Sequence, residues 1–433
     1  MRRRRRRVTA TVATAVTLIA GAATMPSAIA SPGMGERPPH RVVLFAIDGF
    51  DAEYLDGRVP LPNIEALARR GSVTTGTGVM STVTNQSWSS VATGTYPDVT
   101  GNAAYYLDRE SGVVEGQSRD IAVETLGESL TAQGRTLASA QWFILENRGV
   151  TYGNPDALYT QPGGECSQRA DDAVAILSGE PVDSGGTEVT VPEVPDLLAV
   201  YCSDLDSAGH ATGDDSAEID QALTHVDEQI GRVVDATRRA GTFGRTTFVL
   251  VGDHGMTSYD HVNGPQVEAA IDDAGFEAEW VSSGDSPSEG TEVVLAGGGL
   301  TSVHLVGDLA GDAEALAQVE EAITSVEGIG GVYDKTAQAE MRMAGVYGDL
   351  VVEPEPGWAM FTGDQPYTRG RHGTSQELEL AFLLSGAGIR PGAAPHNPRL
   401  VDVAPTISHL LGVRPPSASE GRVLEESLLP PRR

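Results

Sequence analysis

Three aspartates and three histidines of this 433-residue chain stand beside apolar segments of strand length. They are Asp48, Asp206, His210, Asp253, His254 and His372. Carboxylate oxygens and imidazole nitrogens are good ligands for zinc, and manganese or iron accept some of the same groups. Singly, each residue has an ordinary alternative, since an aspartate after a strand often caps a helix and a lone histidine is often simply solvated. Because the pattern recurs at four strands, we predict a metal centre for two ions, with one further ligand.

A hydroxyl-rich segment from Ser81 to Gly94 offers that further ligand in Thr84. The segment has the composition of a turn leading into a short helix, whose first N–H groups and positive dipole end attract phosphate. A threonine hydroxyl is a poor nucleophile unless a base or a metal stabilises its alkoxide. Ordinary capping is the alternative, and it would be preferred without the metal ligands. We therefore predict Thr84 as a nucleophile beside a metal ion.

Continuous apolar runs supply the strands that position these residues. The clearest runs are 41–47, 197–202, 247–251 and 378–384, and helical patterns occupy 61–70 and 217–239. Strands that are apolar throughout are typical of a parallel sheet covered on both faces. Their alternation with helices predicts an α/β fold with a doubly wound, mainly parallel sheet. In such sheets, functional sites collect at the carboxyl ends of the strands.

A different pattern occupies residues 265–346, where short strands at 291–295 and 302–306 precede an amphipathic helix at 313–326. We predict a small α+β cap at 265–346, inserted into a catalytic domain that consists of residues 41–264 and 347–433.

The first thirty residues have the organisation of a cleavable signal peptide. Six arginines at 2–7 precede an apolar run at 8–23, and Ala-Ile-Ala at 28–30 has the small residues of a cleavage site. A membrane anchor is the alternative, although the run is shorter and less apolar than a spanning helix requires. The arginines also fit a twin-arginine signal. We predict a signal peptide at 1–30, a leader at 31–40, and a secreted or extracytoplasmic protein without a stable membrane span.

The chain is strongly acidic, with 30 basic and 60 acidic side chains. Loss of residues 1–30, which hold six arginines and no acids, would change the formal charge from −30 to −36. A field of this sign repels nucleic-acid polymers and anionic membranes, so neither is an expected partner. Cys166 and Cys202 would meet an oxidising compartment after export, where they either pair as a disulfide or remain two buried thiols.

Taken together, these residues resemble the five sequence blocks of the type I phosphodiesterase/nucleotide pyrophosphatase family, in the same order. The blocks here are Asp48-Gly49, Thr84 with Ser87-Trp88 and Ala92 to Pro97, Asp206 to His210, Gly252 to Met256, and Arg371-His372-Gly373. The end of the chain, 400–424, resembles the closing helix of the alkaline phosphatase superfamily, so the resemblance covers nearly all of 41–424. It implies an alkaline phosphatase-like fold.

The resemblance also implies roles for individual residues. One zinc ion would be bound by Asp206, His210 and His372. The second would be bound by Asp48, Asp253 and His254, beside the Thr84 oxygen. Thr84 would attack phosphorus and form a covalent phospho-threonine that water then releases. The family also places an asparagine on a non-bridging phosphate oxygen, for which Asn102 is the candidate and Asn85 the alternative.

The charge near the nucleophile bears on the substrate. No lysine or arginine lies between Arg70 and Arg109, so this segment offers no cation for the second charge of a phosphate monoester. We therefore predict a small phosphodiester or pyrophosphate substrate. A phosphomonoesterase is the alternative, because Arg342, Arg369 or Arg371 could reach the site from elsewhere in the chain.

The segment around Thr84 departs from the family pattern. It reads Val83 to Ser87 and lacks an aromatic residue that helps to stack a nucleobase in the family. Trp88, Tyr105 or Tyr106 could stack a leaving group instead, although Trp88 is also a good core residue. A secreted binding protein on an inactive scaffold is the alternative outside enzymes.

Overall fold

The computed structural model describes residues 40–363, 365 and 367–430. The predicted signal peptide at 1–30 lies outside them, as does the leader at 31–40 except for His40. The main sheet has seven strands, and their order from edge to edge is Gly71–Thr77, Glu379–Gly386, Thr246–Gly252, Arg41–Ile47, Leu197–Cys202, Leu137–Ala140 and Ala157–Thr160. All neighbours are parallel except Glu379–Gly386, which is antiparallel to both strands beside it. The predicted α/β fold with a mainly parallel sheet is confirmed.

Both faces of this sheet are buried. Successive side chains of Arg41–Ile47 alternate between two hydrophobic cores because the side-chain period of a strand is two. Val43 and Phe45 belong to one core, and Val42 and Leu44 to the other. The first core is covered by helices Pro62–Ala68, Cys166–Ser178, Asp204–Thr212 and Ala217–Arg239. The second is covered by helices Thr84–Thr93, Leu126–Ala132 and Val403–Leu411.

A second sheet lies in the part of the chain predicted as a cap. Its five strands, in order, are Ala278–Trp280, Val293–Gly297, Thr301–Leu305, Leu350–Pro354 and Ile329–Asp334. Helices Gly264–Asp273 and Ala313–Thr324 pack with it in a hydrophobic cluster. The sheet extends beyond residue 346, because the buried strand Leu350–Pro354 pairs with a neighbour on each side. The division of the chain at 265–346 stays a prediction.

Smaller elements connect these parts. A three-stranded sheet consists of Gly357–Ala359, Thr257–Val262 and Arg369–Arg371. There are also two strand pairs, Tyr106–Asp108 with Val113–Glu115 and Val182–Asp183 with Glu188–Val189. Two short helices are Pro97–Thr100 and Lys335–Glu340. Cys166 and Cys202 form a disulfide, which decides between the two states left open by the sequence. Within the described residues, no helix has the length and apolar character that crossing a membrane requires.

Candidate metal centre and nucleophile

The six predicted metal ligands come together as two triads. In each triad, the candidate ligand atoms lie within 4.8 Å of one another. The members are Asp206, His210 and His372 in the first triad, and Asp48, Asp253 and His254 in the second. The imidazole rings of His254 and His372 stack with their centroids 3.7 Å apart, so the two triads are adjacent.

Strand register explains why the second triad forms. Ile47 pairs with Gly252 in parallel strands, so the next residues, Asp48 and Asp253, leave the sheet side by side. His254 follows directly, and its Nε2 lies 3.3 Å from Asp48 Oδ1 and 3.4 Å from Asp253 Oδ2. The three residues meet because the strand ends are aligned.

The first triad depends on the direction of one strand. Asp206 and His210 lie on the helix that follows Leu197–Cys202, whereas His372 precedes its strand, Glu379–Gly386. Since this strand is antiparallel to Thr246–Gly252, its amino end lies at the same edge as the carboxyl ends of the parallel strands. His372 Nε2 therefore reaches within 3.1 Å of His210 Nε2 and 3.5 Å of Asp206 Oδ1.

Thr84 begins the helix Thr84–Thr93 and faces the second triad. Its Oγ1 lies 3.3 Å from His254 Nε2. Val83 precedes it and its side chain makes no cap at the positive end of the helix. The backbone N–H of Asn85 donates instead to Oε1 of Gln117, at 3.2 Å. The predicted nucleophile thus sits at a helix start beside a group of metal-ligand side chains.

Unpaired carboxylate oxygens show that the triads fit cations. Asp48 Oδ1, Asp206 Oδ1 and Asp253 Oδ2 are buried and have no hydrogen-bond partner among the described residues. Burying a charged oxygen without a partner costs several kcal/mol, roughly. Each of these atoms points towards an imidazole Nε2 of its own triad. The donor set of three carboxylates and three imidazoles therefore fits two divalent cations.

Burial and charge shift the pKa values of these groups. Burial lowers the pKa of His372 to about 3, and the charges of His254 and His210 act in the same direction. Burial and the Asp48 charge raise the pKa of Asp253 well above its usual value. Burial disfavours charged His254, but the carboxylates of Asp253 and Asp48 outweigh this effect and raise its pKa to about 10. A proton on His254 thus supplies positive charge where a cation would otherwise supply it.

The three histidines are oriented by backbone carbonyls. Nδ1 of His254 donates to Gly255 O at 2.8 Å, and Nδ1 of His372 donates to Thr82 O at 2.8 Å. His210 Nδ1 donates to a further carbonyl at 3.1 Å. Because a carbonyl can only accept, each ring carries a hydrogen on Nδ1, which leaves Nε2 as the atom that can bind a cation. These bonds fix both the tautomer and the ring direction.

Two residues near the site had no signal in the sequence. The hydroxyl of Tyr201 donates to Oδ2 of Asp48 and is nearly buried. Tyr201 lies inside an apolar strand, where a tyrosine is read as core. Gln117 lies outside the strands and helices predicted from the sequence, where no periodicity or spacing points to Thr84. Only the folded arrangement brings either residue to the site.

Asn102 lies close to the site with its amide engaged. It is buried, and Nδ2 donates to the carbonyls of Ser118 and Asp120 at 3.1 and 2.9 Å. Asn85 Nδ2 donates to the same Ser118 carbonyl at 2.7 Å. Both hydrogens of the Asn102 amide are used, so in this arrangement it has none left for a phosphate oxygen. The phosphate-binding role that the resemblance implies for Asn102 stays a prediction.

The three arginines considered for a monoester are held elsewhere. Arg342 pairs with Asp98 and with Glu420. Arg369 donates to the hydroxyl of Tyr367. Arg371 is buried and pairs with a buried glutamate at 2.9 Å. None of these guanidinium groups donates to either triad.

Comparison with known proteins decides the family. The type I phosphodiesterase/nucleotide pyrophosphatase family model matches residues 42–375, which are most of the chain and include all six candidate ligands and Thr84. The chain belongs to this family. The resemblance inferred from the five sequence blocks is therefore confirmed.

Curated relatives of this family member align over part of their length. Human ectonucleotide pyrophosphatase/phosphodiesterase family member 1 is 26% identical over 240 residues, covering 52% of this chain and 24% of the human protein. Human family member 7 is 26% identical over 266 residues, covering 60% and 55%. Venom phosphodiesterase of Macrovipera lebetinus is 27% identical over 244 residues, covering 53% and 27%. The chain thus spans about half or less of each relative.

Solved structures share the fold. Murine ectonucleotide pyrophosphatase/phosphodiesterase 5 superposes with a TM-score of 0.66 at 16% identity, covering 87% of this chain and 96% of that chain. An inactive threonine-to-alanine variant of the murine protein, in complex with AMP, superposes with a TM-score of 0.67 at 16% identity. At this identity, the likeness shows a common fold.

A pocket of about 220 Å³ in this phosphodiesterase/nucleotide pyrophosphatase family member adjoins the first triad. Tyr105, Gln117 and Phe361 line it together with His210 and His372. The loop 297–300 of the second sheet forms another wall. The pocket thus lies between the first triad and the second sheet, and its wall includes the aromatic side chains of Tyr105, Tyr347 and Phe361.

The other two aromatic candidates do not line this pocket. Trp88 is fully buried and packs edge to face against Trp142, with ring centroids 5.9 Å apart. Tyr106 packs against Tyr347. Of the three aromatic residues predicted to stack a leaving group, Tyr105 is therefore the one that lines the pocket.

Proposed function

We propose that this protein hydrolyses small phosphate diesters or pyrophosphates, with Thr84 as the nucleophile and two divalent cations held by the two triads. Zinc is the proposed ion, on ligand type, with manganese or iron as alternatives. The observation that carries the proposal is the position of Thr84. Its Oγ1 lies 3.3 Å from His254 Nε2, at the start of a helix and beside unpaired carboxylates.

The proposed reaction uses residues in stated roles. When bound, the cations would supply Lewis acidity and stabilise an alkoxide. Thr84 Oγ1 attacks phosphorus in line, the bond to the leaving oxygen breaks, and a phospho-threonine forms. Water then cleaves that phosphorus–oxygen bond and regenerates the Thr84 hydroxyl. The N–H of Asn85, which here donates to Gln117, is aligned to bind a phosphate oxygen on Thr84 once Gln117 turns away.

Asn102 has a different part in this proposal from direct phosphate binding. Its amide binds the carbonyls of Ser118 and Asp120, and Asn85 also binds Ser118. Asn102 would therefore position the loop that carries Gln117 and keep Asn85 beside the nucleophile.

The charges around the site favour a diester over a monoester. A monoester carries a second negative charge that a further cation would have to match. Arg342 and Arg371 each pair with carboxylates, and Lys335 donates to the carbonyls of Gly345 and Tyr347. A mononucleotide unit fits the proposal, because Tyr105 and Phe361 offer aromatic faces in the pocket, and AMP is bound by the murine protein with the same fold.

Export and the role of the cap belong to the same proposal. The disulfide between Cys166 and Cys202 supports an oxidising compartment, as the predicted signal peptide at 1–30 requires. We assign substrate selection to the inserted region predicted at 265–346, because its loop at 297–300 lines the pocket.

The test compares bis(p-nitrophenyl) phosphate with p-nitrophenyl phosphate on the purified, zinc-loaded protein. We expect a higher kcat/KM for the diester, and loss of at least a thousandfold in Thr84→Ala. Thr84→Ser is the matched control, since it keeps a hydroxyl and should retain part of the activity. With the diester, attack by Thr84 expels one p-nitrophenolate and leaves the other on phosphorus, so acid quenching during turnover, followed by mass spectrometry, should detect a p-nitrophenyl phosphoryl group on the peptide that contains Thr84.

Each other outcome has a defined meaning. A monoester preferred over the diester would replace the proposal with the phosphomonoesterase alternative. Full activity in Thr84→Ala would remove Thr84 as the nucleophile. A folded wild type that hydrolyses neither ester after zinc loading would favour the inactive binding protein.

A further inference from the structure

A third group of ligand side chains lies outside the two triads. Glu165, Asp204 and His225 place their candidate ligand atoms within 4.8 Å of one another. Glu165 precedes the helix Cys166–Ser178, Asp204 is the first residue of Asp204–Thr212, and His225 lies within Ala217–Arg239. The three residues line a pocket of about 330 Å³. Three separate helices therefore contribute one potential ligand each.

The distances within this group do not correspond to hydrogen bonds. His225 Nε2 lies 3.7 Å from Asp204 Oδ1 and 3.9 Å from Glu165 Oε2, beyond the usual range of about 2.7–3.2 Å. The Nε2 atom is nevertheless buried and has no partner among the described residues. Nitrogen and oxygen ligands of one tetrahedral zinc stand about 3.4 Å apart, given bond lengths of roughly 2.0–2.2 Å. The observed separations of 3.7 and 3.9 Å are nearer to this ligand spacing than to a hydrogen-bond distance.

Asp204 is the buried member of the group. Its side chain is 7% exposed, and Oδ2 accepts the backbone N–H of Cys166 at 2.9 Å. Oδ1 accepts no hydrogen bond within the described part of the chain and faces His225. In the same part of the chain, no lysine or arginine nitrogen lies within 4.0 Å of the Asp204 or Glu165 carboxylate. The two carboxylates thus face one another across His225, and the charge of Arg169 acts on Asp204 only from beyond 4.0 Å.

This group is distinct from the first triad although it shares a helix with it. Asp204 and Asp206 are two residues apart, which corresponds to about 200° around a helix axis. Their side chains therefore leave the helix on nearly opposite sides, and Asp206 faces His210 and His372. A ligand at Asp204 would lie behind the helix that carries two proposed catalytic ligands.

We propose that Glu165, Asp204 and His225 bind a third divalent cation of the zinc type, with water completing its coordination. One imidazole and two carboxylates suit zinc or manganese better than calcium, which prefers oxygen ligands alone. The disulfide fixes the two carboxylates relative to each other, because Cys166 follows Glu165 and Cys202 lies two residues before Asp204. Through Asp204, the cation would link the start of the helix that carries Asp206 and His210 to Glu165 and His225.

The experiment measures zinc per polypeptide. Protein stripped with a chelator and reloaded with zinc is passed through a desalting column and analysed by plasma mass spectrometry. We expect His225→Ala to hold one zinc fewer than wild type. His261→Ala is the matched control, because His261 is an exposed histidine 3.4 Å from Asp260 and should leave the zinc content unchanged.

The difference between variants isolates the third site from the catalytic pair. If the two triads bound no zinc, wild type and His225→Ala would still differ by one. Asp204→Asn, which keeps an oxygen acceptor for Cys166 N–H, should weaken the same zinc at least tenfold in a competition titration and guards against misfolding of His225→Ala. Equal zinc content in folded wild type and His225→Ala, or unchanged affinity in Asp204→Asn, would overturn the proposal.

Discussion

Replacing Arg371 by methionine tests how the fold holds His372 at the metal centre. The guanidinium is 1% exposed and donates five hydrogen bonds: to the carbonyls of Glu355 and Trp358, and to the side chains of Thr374, Gln376 and Glu377. These acceptors all belong to the segment 355–377. Arg371 therefore cross-links this loop through hydrogen bonds in its interior, and the next residue is the proposed metal ligand His372.

The expected cost follows from the buried charge. Arg371→Met leaves the buried carboxylate of Glu377 without its cation, and breaking a buried ion pair in this way costs about 3–5 kcal/mol of unfolding free energy. The protein should still fold, since typical domains are stable by about 5–15 kcal/mol. The double variant with Glu377→Gln should lose less than the sum of the two single changes, because neither charge is then left alone.

Denaturant titration of metal-free protein measures this cost without a contribution from bound zinc. Zinc affinity should also fall by about tenfold to a hundredfold, as for other groups that orient a ligand. Arg369→Met is the control, because Arg369 is exposed and contacts Tyr367, and its denaturation midpoint should not change. A loss below about 1 kcal/mol in Arg371→Met, or strict additivity with Glu377→Gln, would refute the reasoning.

Three further predictions test other parts of the molecule. Tyr201→Phe removes the hydroxyl that donates to Asp48 and should weaken one zinc site by about tenfold to a hundredfold in a competition titration; equal affinities would contradict it. Burial lowers the pKa of His304 from 6.5 to about 4, so stability is complete above pH 6.5 and is lost as the pH falls towards 4, by about 3 kcal/mol. His304→Gln keeps a hydrogen-bond acceptor but does not titrate, so its melting temperature should change less than that of wild type between these pH values. Removing both cysteines, as Cys166→Ala with Cys202→Ala, opens a cross-link that spans 36 residues, and denaturation should show a loss of about 3–4 kcal/mol relative to the oxidised wild type.

Local sequence was enough to find four of the seven strands of the main sheet and the candidate ligands beside them, whereas Leu137–Ala140 and Ala157–Thr160 were not predicted. Arg41–Ile47 and Leu197–Cys202 have the predicted bounds, since each is a continuous apolar run with a polar residue soon after it. Helix Ala217–Arg239 also matches, because its start has a serine cap and its last turn carries two arginines. The convergence of Asp48 and Asp253 required only that these strands be parallel and in register.

Contacts between residues far apart in the chain could not be predicted from local sequence in this way. The hydrogen bonds from the Asn102 amide to the carbonyls of Ser118 and Asp120 depend on how a loop folds back. Strand Leu350–Pro354 joins the second sheet beyond residue 346, because pairing with two earlier strands decides sheet membership. The third cluster likewise unites residues from three helices.

By itself, the sequence predicted the fold class, the six candidate ligands of the two triads and the hydroxyl of Thr84, because strand periodicity and residue type are local properties. Only the tertiary structure decided that His372 reaches the first triad from the start of an antiparallel strand. It also decided that the Tyr201 hydroxyl donates to Asp48 and that Arg371 pairs with Glu377 inside its own loop. The physical reason is that strand direction, burial and hydrogen-bond partners depend on segments far apart in the chain, which meet only when the two cores close.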